Sequence, residues 1–167
     1  MVLRRLVSLV SAGLALCIVL ARPVEAAGLS GQERRMVATV DAGQDRQLAL
    51  LEELVAINSG TMNLQGVESV GRRVAREFEA LGFEVRWVPM AETGRAGHLV
   101  AAHKGDGKGR RMLLIGHLDT VFEPDSPFKG YVRNGDTVTG PGVNDMKGGI
   151  VVMVGALQAM KTAGTLK

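Results

Sequence analysis

Apolar residues recur at steps of three and four along three stretches of the chain, and this spacing predicts amphipathic helices. The first stretch covers residues 32–57, which Gly43 is expected to divide into two helices. The second covers residues 64–81, and Gly82 follows where a helix would end. The third is a largely apolar stretch at residues 147–160. Helices are therefore expected near both ends of the folded part.

Between these helices the pattern changes to that of strands. Residues 83–88 alternate apolar and polar positions at a period of two, and residues 98–103 are predicted as the next strand. Residues 112–115 form a short, fully apolar run that predicts a buried strand. Residues 131–139 predict a hairpin around an Asn134–Gly135 turn. The fold class predicted from this order is α/β, with helices packed on a mixed β-sheet.

The first 26 residues have the pattern of a secretory signal peptide. Arg4 and Arg5 precede an apolar run at residues 6–20, and small residues at Val24 and Ala26 mark a cleavage site after Ala26. The run is shorter than the roughly 20 residues that a membrane-spanning helix needs. We therefore expect residues 1–26 to be a signal peptide, with an uncleaved N-terminal anchor as the alternative.

Loss of the signal peptide changes the charge and the cysteine count. Residues 1–26 hold three arginines and one glutamate, so a formal net charge of +3 becomes about +1. Cys17, the single cysteine, is lost with them, which leaves neither a thiolate nor a disulfide. A lipoprotein site at Cys17 is disfavoured because Leu16 precedes it.

No basic patch with interleaved aromatic residues remains to indicate nucleic-acid binding. We expect an exported protein, periplasmic or secreted, without stable membrane association after cleavage.

His117 and Asp119 follow the apolar run at residues 112–115 directly. Residues two apart at the end of a strand can point to the same face. One ring nitrogen of His117 could then coordinate a metal, while the other donates its proton to the carboxylate of Asp119. Taken alone, however, a His-x-Asp pair is more simply a solvated turn or a local hydrogen bond.

Asp145 lies in the glycine-rich segment 140–149, just before the last predicted helix. A carboxylate has two oxygens and can bridge two cations. Taken alone, Asp145 is more simply an N-cap of that helix, since aspartate is favoured there. The segment lacks the spacing of a phosphate-binding loop, so a nucleotide site has little support.

The two segments in this order, separated by the predicted hairpin, resemble the M20 metallopeptidases. The resemblance extends upstream to Leu54–Gly60 and Leu81–Val85, and it covers nearly all of residues 44–163. Among the branches of the family, the chain is most similar to the bacterial glutamate carboxypeptidases.

The resemblance implies a zinc-dependent exopeptidase of the carboxypeptidase type, which hydrolyses a peptide or amide bond next to a free carboxylate and releases glutamate. His117 would bind one of two zinc ions, Asp145 would bridge both, and Asp119 would orient His117. The peptide bond between Asp145 and Met146 would be cis. Paired zinc ions polarise the scissile carbonyl and activate the attacking water.

The resemblance also implies an incomplete site. Residues 27–167 are expected to form a partial catalytic domain of the di-zinc type, without its C-terminal part and its dimerisation domain. The family's general base and remaining ligands lie downstream, so this chain alone is expected to be inactive, and the complete protein to be a homodimer. The substrate would be a peptide or an N-acyl amino acid.

Three alternatives stay open. One is an amidohydrolase of N-acylated amino acids in the same family, the second a non-catalytic truncated fragment, and the third a self-standing α/β binding module that only shares the motifs. His98, His103 and Lys147 are expected to be structural residues.

Overall fold

The structure is a computed structural model that describes residues 28–167, so the predicted signal peptide at residues 1–26 lies outside the described residues. Four α-helices are found in the described part: α1 (Gly31–Ala42), α2 (Gln44–Ala56), α3 (Leu64–Leu81) and α4 (Gly148–Thr162). Gly43 separates α1 from α2, as predicted. Gly82 ends α3 with a φ of 93°, in the left-handed region where glycine carries no Cβ penalty. Within residues 28–167, no helix is both long enough and apolar enough to cross a bilayer.

The strands form two small antiparallel sheets. They are β1 (Glu84–Met90), β2 (Arg95–Ala102), β3 (Val132–Asn134) and β4 (Thr137–Thr139), with β1 paired to β2 and β3 to β4. The predicted hairpin at residues 131–139 is confirmed, but its turn lies one residue further along. Asn134 pairs with Thr137, so Gly135 and Asp136 are the turn residues.

The strand predicted at residues 112–115 is absent from the described structure. These residues pair with no neighbour, and Leu113 is 83% exposed. A groove of about 1380 Å³ is lined by this segment and by β2. A strand exists only where a ladder partner lies within hydrogen-bonding distance, and an apolar run cannot reveal whether such a partner is there.

The α/β fold class is confirmed. Parallel pairing, which a mixed sheet requires, occurs within residues 28–167 as a single isolated bridge between Gly60 and Thr120. That bridge lies beside the residues predicted to carry the chemistry.

The core lies where α4 packs against α2 and α3. The nine buried residues of this cluster are aliphatic, as the low aromatic content requires: Leu50, Leu51, Leu54, Val55, Val70, Val74, Ile150, Val151 and Val154. On its other side, α3 covers the β1–β2 sheet. This packing holds the start of α4, and with it the segment around Asp145, against the helical layer.

Candidate functional site

The structure brings His117 and Asp145 into direct contact, although 27 residues separate them in sequence. His117 Nε2 lies 2.8 Å from Asp145 Oδ1. His117 belongs to the irregular segment that follows residues 112–115. Asp145 lies in the segment Val143–Lys147 that leads into α4, and its own φ of −129° and ψ of 99° are not helical. The two segments that the sequence singled out therefore form one site.

Asp119 lies on the other side of the same imidazole. His117 Nδ1 is 3.0 Å from the carbonyl oxygen of Asp119 and 3.2 Å from its Oδ1. The Nδ1 proton therefore faces oxygen acceptors, which leaves Nε2 directed at Asp145. This is the arrangement in which a second group orients a histidine towards a metal.

Asp145 does not cap α4. No side-chain capping hydrogen bond is found at either Val143–Lys147 or the start of α4, and the Asp145 side chain is 79% exposed. Its peptide bond to Met146 is cis, as the family resemblance implied. The capping interpretation of Asp145 is therefore wrong, and the contact with His117 takes its place.

Thr61 joins the site from the loop between α2 and α3. Its Oγ1 donates a hydrogen bond to Asp119 Oδ2 at 2.6 Å. The backbone around it pairs with Thr120: Thr120 N donates to Ser59 O at 2.8 Å, and Thr61 N donates to Thr120 O at 3.0 Å. Residues 58–61 fall between two stretches predicted to be helical, and the sequence offered no signal of this partner, which lies nearly sixty residues away.

Lys147 lies beneath the site rather than in it. Its side chain is 1% exposed, and Nζ donates to the carbonyl oxygen of Ile57 at 2.8 Å. Burial lowers the pKa of Lys147 to about 8, because the charged form loses its hydration. The contact ties the Asp145 segment to the end of α2.

The environment of His117 contains opposing influences on its pKa. Burial lowers the pKa, but the hydrogen bonds to Asp145 and to the Asp119 carbonyl, together with the charges of both carboxylates, outweigh burial and raise it overall. A proton on Nε2 occupies the position that a metal would take, so metal binding at His117 requires its release.

His117, Asp119 and Asp145 all line a pocket of about 430 Å³. A neutral imidazole nitrogen and a carboxylate are donors that zinc accepts, and both face the same place. Catalytic zinc has three protein ligands, however, and residues 28–167 contain no cluster of three or more histidine, cysteine, aspartate or glutamate residues that could hold a metal. The donors present fit two ligands of such a site.

The sequence that carries this site is similar to known proteins. Residues 113–167 match the family model described as Peptidase family M20/M25/M40. Carboxypeptidase G2 of Pseudomonas sp. (strain RS-16) is 34% identical over 142 residues, which cover 83% of this chain and 34% of that protein. Succinyl-diaminopimelate desuccinylase of Leptothrix cholodnii is 31% identical over 124 residues, covering 70% of this chain and 31% of that protein.

A third relative is named as a deformylase. The N-formyl-4-amino-5-aminomethyl-2-methylpyrimidine deformylase of Halalkalibacterium halodurans is 30% identical over 135 residues, covering 76% of this chain and 30% of that protein. The chain thus spans about a third of the length of the curated relatives it matches.

The matched family is one of peptidases, and the three relatives carry the names of hydrolases. More particularly, residues 113–167 carry the sequence of the M20/M25/M40 peptidase family, whose enzymes depend on a metal, and the chain resembles carboxypeptidase G2.

Proposed function

We propose that the protein is a zinc-dependent exopeptidase of the carboxypeptidase type, which hydrolyses the amide bond next to a free carboxylate and releases glutamate. The observation that carries this proposal is the 2.8 Å contact between His117 Nε2 and Asp145 Oδ1, with Nδ1 of the same ring facing Asp119. The similarity to carboxypeptidase G2 supports the choice of substrate bond.

His117 and Asp145 would hold zinc, which when bound supplies Lewis-acid polarisation of the scissile carbonyl and a more acidic water. Asp119 faces Nδ1 of His117 with its carbonyl oxygen at 3.0 Å and its Oδ1 at 3.2 Å, which would fix the ring orientation and direct Nε2 towards the metal. Thr61 holds Asp119 in turn, through the 2.6 Å hydrogen bond from its hydroxyl. The chain's own part in the reaction is therefore to hold and orient two metal donors beside the pocket.

The test uses the protein expressed from its whole gene, with a C-terminal glutamyl peptide as substrate. We expect release of glutamate that a chelator abolishes and added zinc restores. His117→Ala and Asp145→Asn should each lower kcat/KM by at least roughly 100-fold, because each removes a donor to the metal. His98→Ala is the matched control, since His98 is an exposed histidine on β2 outside the site. Full activity after prolonged chelation would overturn the proposal.

A second function is favoured by the relatives themselves. One is named a succinyl-diaminopimelate desuccinylase, so an amidohydrolase acting on N-acylated amino acids is the alternative. The two functions differ in the substrate that is hydrolysed faster, which is a glutamyl peptide for the carboxypeptidase and an N-acylated amino acid for the amidohydrolase. Faster hydrolysis of N-succinyl amino acids than of glutamyl peptides, under the same zinc conditions, would favour the alternative.

Export and assembly are also part of the proposal. The charged start, apolar run and small residues of positions 1–26 support cleavage after Ala26 and a periplasmic or secreted product. N-terminal sequencing of the exported protein should begin at Ala27, and retention of residue 1 would contradict export by cleavage. The homodimer implied by the family resemblance is tested by sedimentation of the same preparation.

A further inference from the structure

The sulfur of Met146 lies against the backbone of the segment that carries His117. The backbone N–H of His117 donates a hydrogen bond to Met146 Sδ at 3.2 Å. Residues 112–118 belong to no strand, and within residues 28–167 they make no backbone–backbone hydrogen bond. The thioether of Met146 is therefore the partner that the described structure gives to this stretch of backbone.

Two glycines make room for the Met146 side chain. A Cβ on Gly116 would come within 3.0 Å of Met146 Cε and 3.2 Å of its Sδ, and a Cβ on Gly149 would come within 3.1 Å of Cε. Both approaches are closer than ordinary van der Waals contact. Gly116 directly precedes His117, and Gly149 lies in the first turn of α4. The thioether thus fills a narrow space between the two segments, which restricts an otherwise flexible side chain.

The position of Met146 in the sequence links this contact to the candidate metal donors. Met146 follows Asp145 directly, so one short segment supplies one donor and the contact that holds the backbone of the other, His117. Asp119 faces Nδ1 of His117 and restrains the rotation of the ring. Met146 restrains the backbone to which the ring is attached. The place of Nε2 depends on both restraints, because the ring moves with its own rotation and with its backbone.

We propose that Met146 is a positioning residue for His117, whose sulfur holds the histidine backbone beside Asp145 so that both donors can reach one metal ion. The inference rests on the metal dependence in the proposed function and adds a residue to it that does not line the pocket of about 430 Å³. A thioether is an uncharged and weak acceptor, so the contact acts through placement and not through charge.

The first experiment measures zinc affinity, by competition with a chromophoric chelator, on the protein expressed from its whole gene. Met146→Leu keeps apolar volume but removes the acceptor, and we expect zinc binding to weaken by roughly 3- to 10-fold, the effect of losing one weak hydrogen bond. Met146→Gln supplies an oxygen acceptor on an unbranched side chain, and it should bind zinc more tightly than Met146→Leu.

Met153→Leu is the matched control. Met153 packs on the same glycine, since its Cε would lie 3.1 Å from a Cβ on Gly116, whereas the N–H of His117 bonds to Met146. We expect Met153→Leu to keep the zinc affinity of the wild type.

Hydrogen exchange at the His117 amide tests the contact itself, without metal or substrate. The protein is treated with a chelator and carries isotope-labelled histidine, and the His117 signal is assigned by its loss in His117→Ala. Exchange should be roughly 3- to 10-fold faster in Met146→Leu, because opening the hydrogen bond then costs less, and unchanged in Met153→Leu.

The outcomes separate this inference from the proposed function. If zinc binds and no glutamate is released, but Met146→Leu weakens zinc binding and speeds exchange, the proposed function fails while the role of Met146 stands. Unchanged exchange in Met146→Leu would overturn the inference, and so would faster exchange with unchanged zinc affinity, because the contact would then not place the ring.

The variants also test the sulfur against simple packing. Equal losses of zinc affinity in Met146→Leu and Met153→Leu would overturn the inference, because packing on Gly116 would then account for both. An affinity of Met146→Gln no higher than that of Met146→Leu would overturn it as well. A wild-type protein that binds no zinc would overturn this inference and the proposed function together.

Discussion

At the residue scale, the hydroxyl of Thr61 is the contact that joins the loop between α2 and α3 to the candidate site. It lies 2.6 Å from Asp119 Oδ2, while Asp119 Oδ1 lies 3.2 Å from His117 Nδ1. A carboxylate with a hydrogen bond on one oxygen and an ion-pair contact on the other is restricted in rotation, and so is the imidazole beside it. Thr61 is therefore a positioning residue for His117, acting through Asp119.

Replacement of this hydroxyl should weaken the site without altering its shape. Thr61→Val is nearly isosteric, and we expect it to lower zinc affinity and kcat/KM by roughly 10- to 100-fold, the range found for groups that orient metal ligands. Zinc affinity is measured by competition with a chromophoric chelator, which does not depend on turnover. Thr61→Ser keeps the hydroxyl and should restore most of both quantities. Equal losses in the Ser and Val variants would contradict the role assigned to the hydroxyl's hydrogen bond.

The residues of the site differ in how far the sequence could predict them. The roles predicted for His117, Asp119 and Asp145 came from the resemblance of their two segments, in this order, to the M20 family, because taken alone each residue is more simply part of a turn or a helix cap. Their joint placement confirms that the two segments meet, while their roles at a metal stay predictions. Thr61 was missed because a threonine in a polar loop has many ordinary uses, and its partner is known only once the chain has folded.

At the element scale, the first turn of α3 is pressed against the loop that carries Thr61. Asn63 caps the helix, accepting a hydrogen bond from Gly66 N at 3.1 Å, and its amide donates to Asn58 O at 3.0 Å. A Cβ on Gly66 would overlap with the carbonyl oxygen of Asn58. The absence of a side chain at Gly66 is therefore what lets the loop and the helix approach.

Gly66→Ala should consequently destabilise the protein, although alanine is normally the better helix former by about 1 kcal/mol. We expect a loss of roughly 1–3 kcal/mol in the free energy of unfolding, because the backbone oxygen cannot move aside as a flexible side chain would. Urea unfolding measures this change. Gly31→Ala, in the first turn of α1, is the matched control: a Cβ there meets only Arg34 Nη2 at 3.9 Å, so stability should hold or rise. Equal effects of the two variants would refute the steric argument.

The helices were predicted well because the sequence within each helix determines where it begins and ends. Periodicity and glycine boundaries placed α3 and the break at Gly43, and these are local signals. The prediction of a strand at residues 112–115 was wrong, because a strand forms only when a second segment pairs with it and the local sequence does not show whether one does. The apolar run is there, but within the described residues the groove of about 1380 Å³ occupies the place beside β2 where a partner would be needed.

At the scale of the whole molecule, Lys147 connects the site to the core. Its Nζ donates to Ile57 O at the end of α2, and its backbone N–H donates to Gly142 O at 2.8 Å. One buried side chain thus ties the segment around Asp145 to the helical layer. Its ammonium charge is removed from water with a single hydrogen bond in return, so the free energy of unfolding should depend on pH.

The sign of this dependence follows from the lowered pKa. Lys147 has a pKa of about 8 in the folded protein, below its ordinary value of 10.5. Between these pH values the unfolded chain keeps the proton and the folded protein releases it, so stability rises with pH across this window. Below pH 8 both states are protonated, and the cost of the buried charge is then constant. The rise should be on the order of 3 kcal/mol at most.

Lys147→Met isolates this contribution, because methionine fills a similar volume without a charge. With a chelator present, so that no metal alters the local field, the stability of the wild type relative to Lys147→Met should increase from pH 8 to pH 10.5. Lys161→Met is the matched control, since Lys161 also donates to a backbone carbonyl, Ala80 O at 2.9 Å, but from an exposed position where its charge keeps its hydration. A flat difference between the wild type and Lys147→Met would mean that the ammonium is hydrated in solution. The segment carrying Asp145 would then be held to α2 less tightly than the 2.8 Å contact to Ile57 indicates.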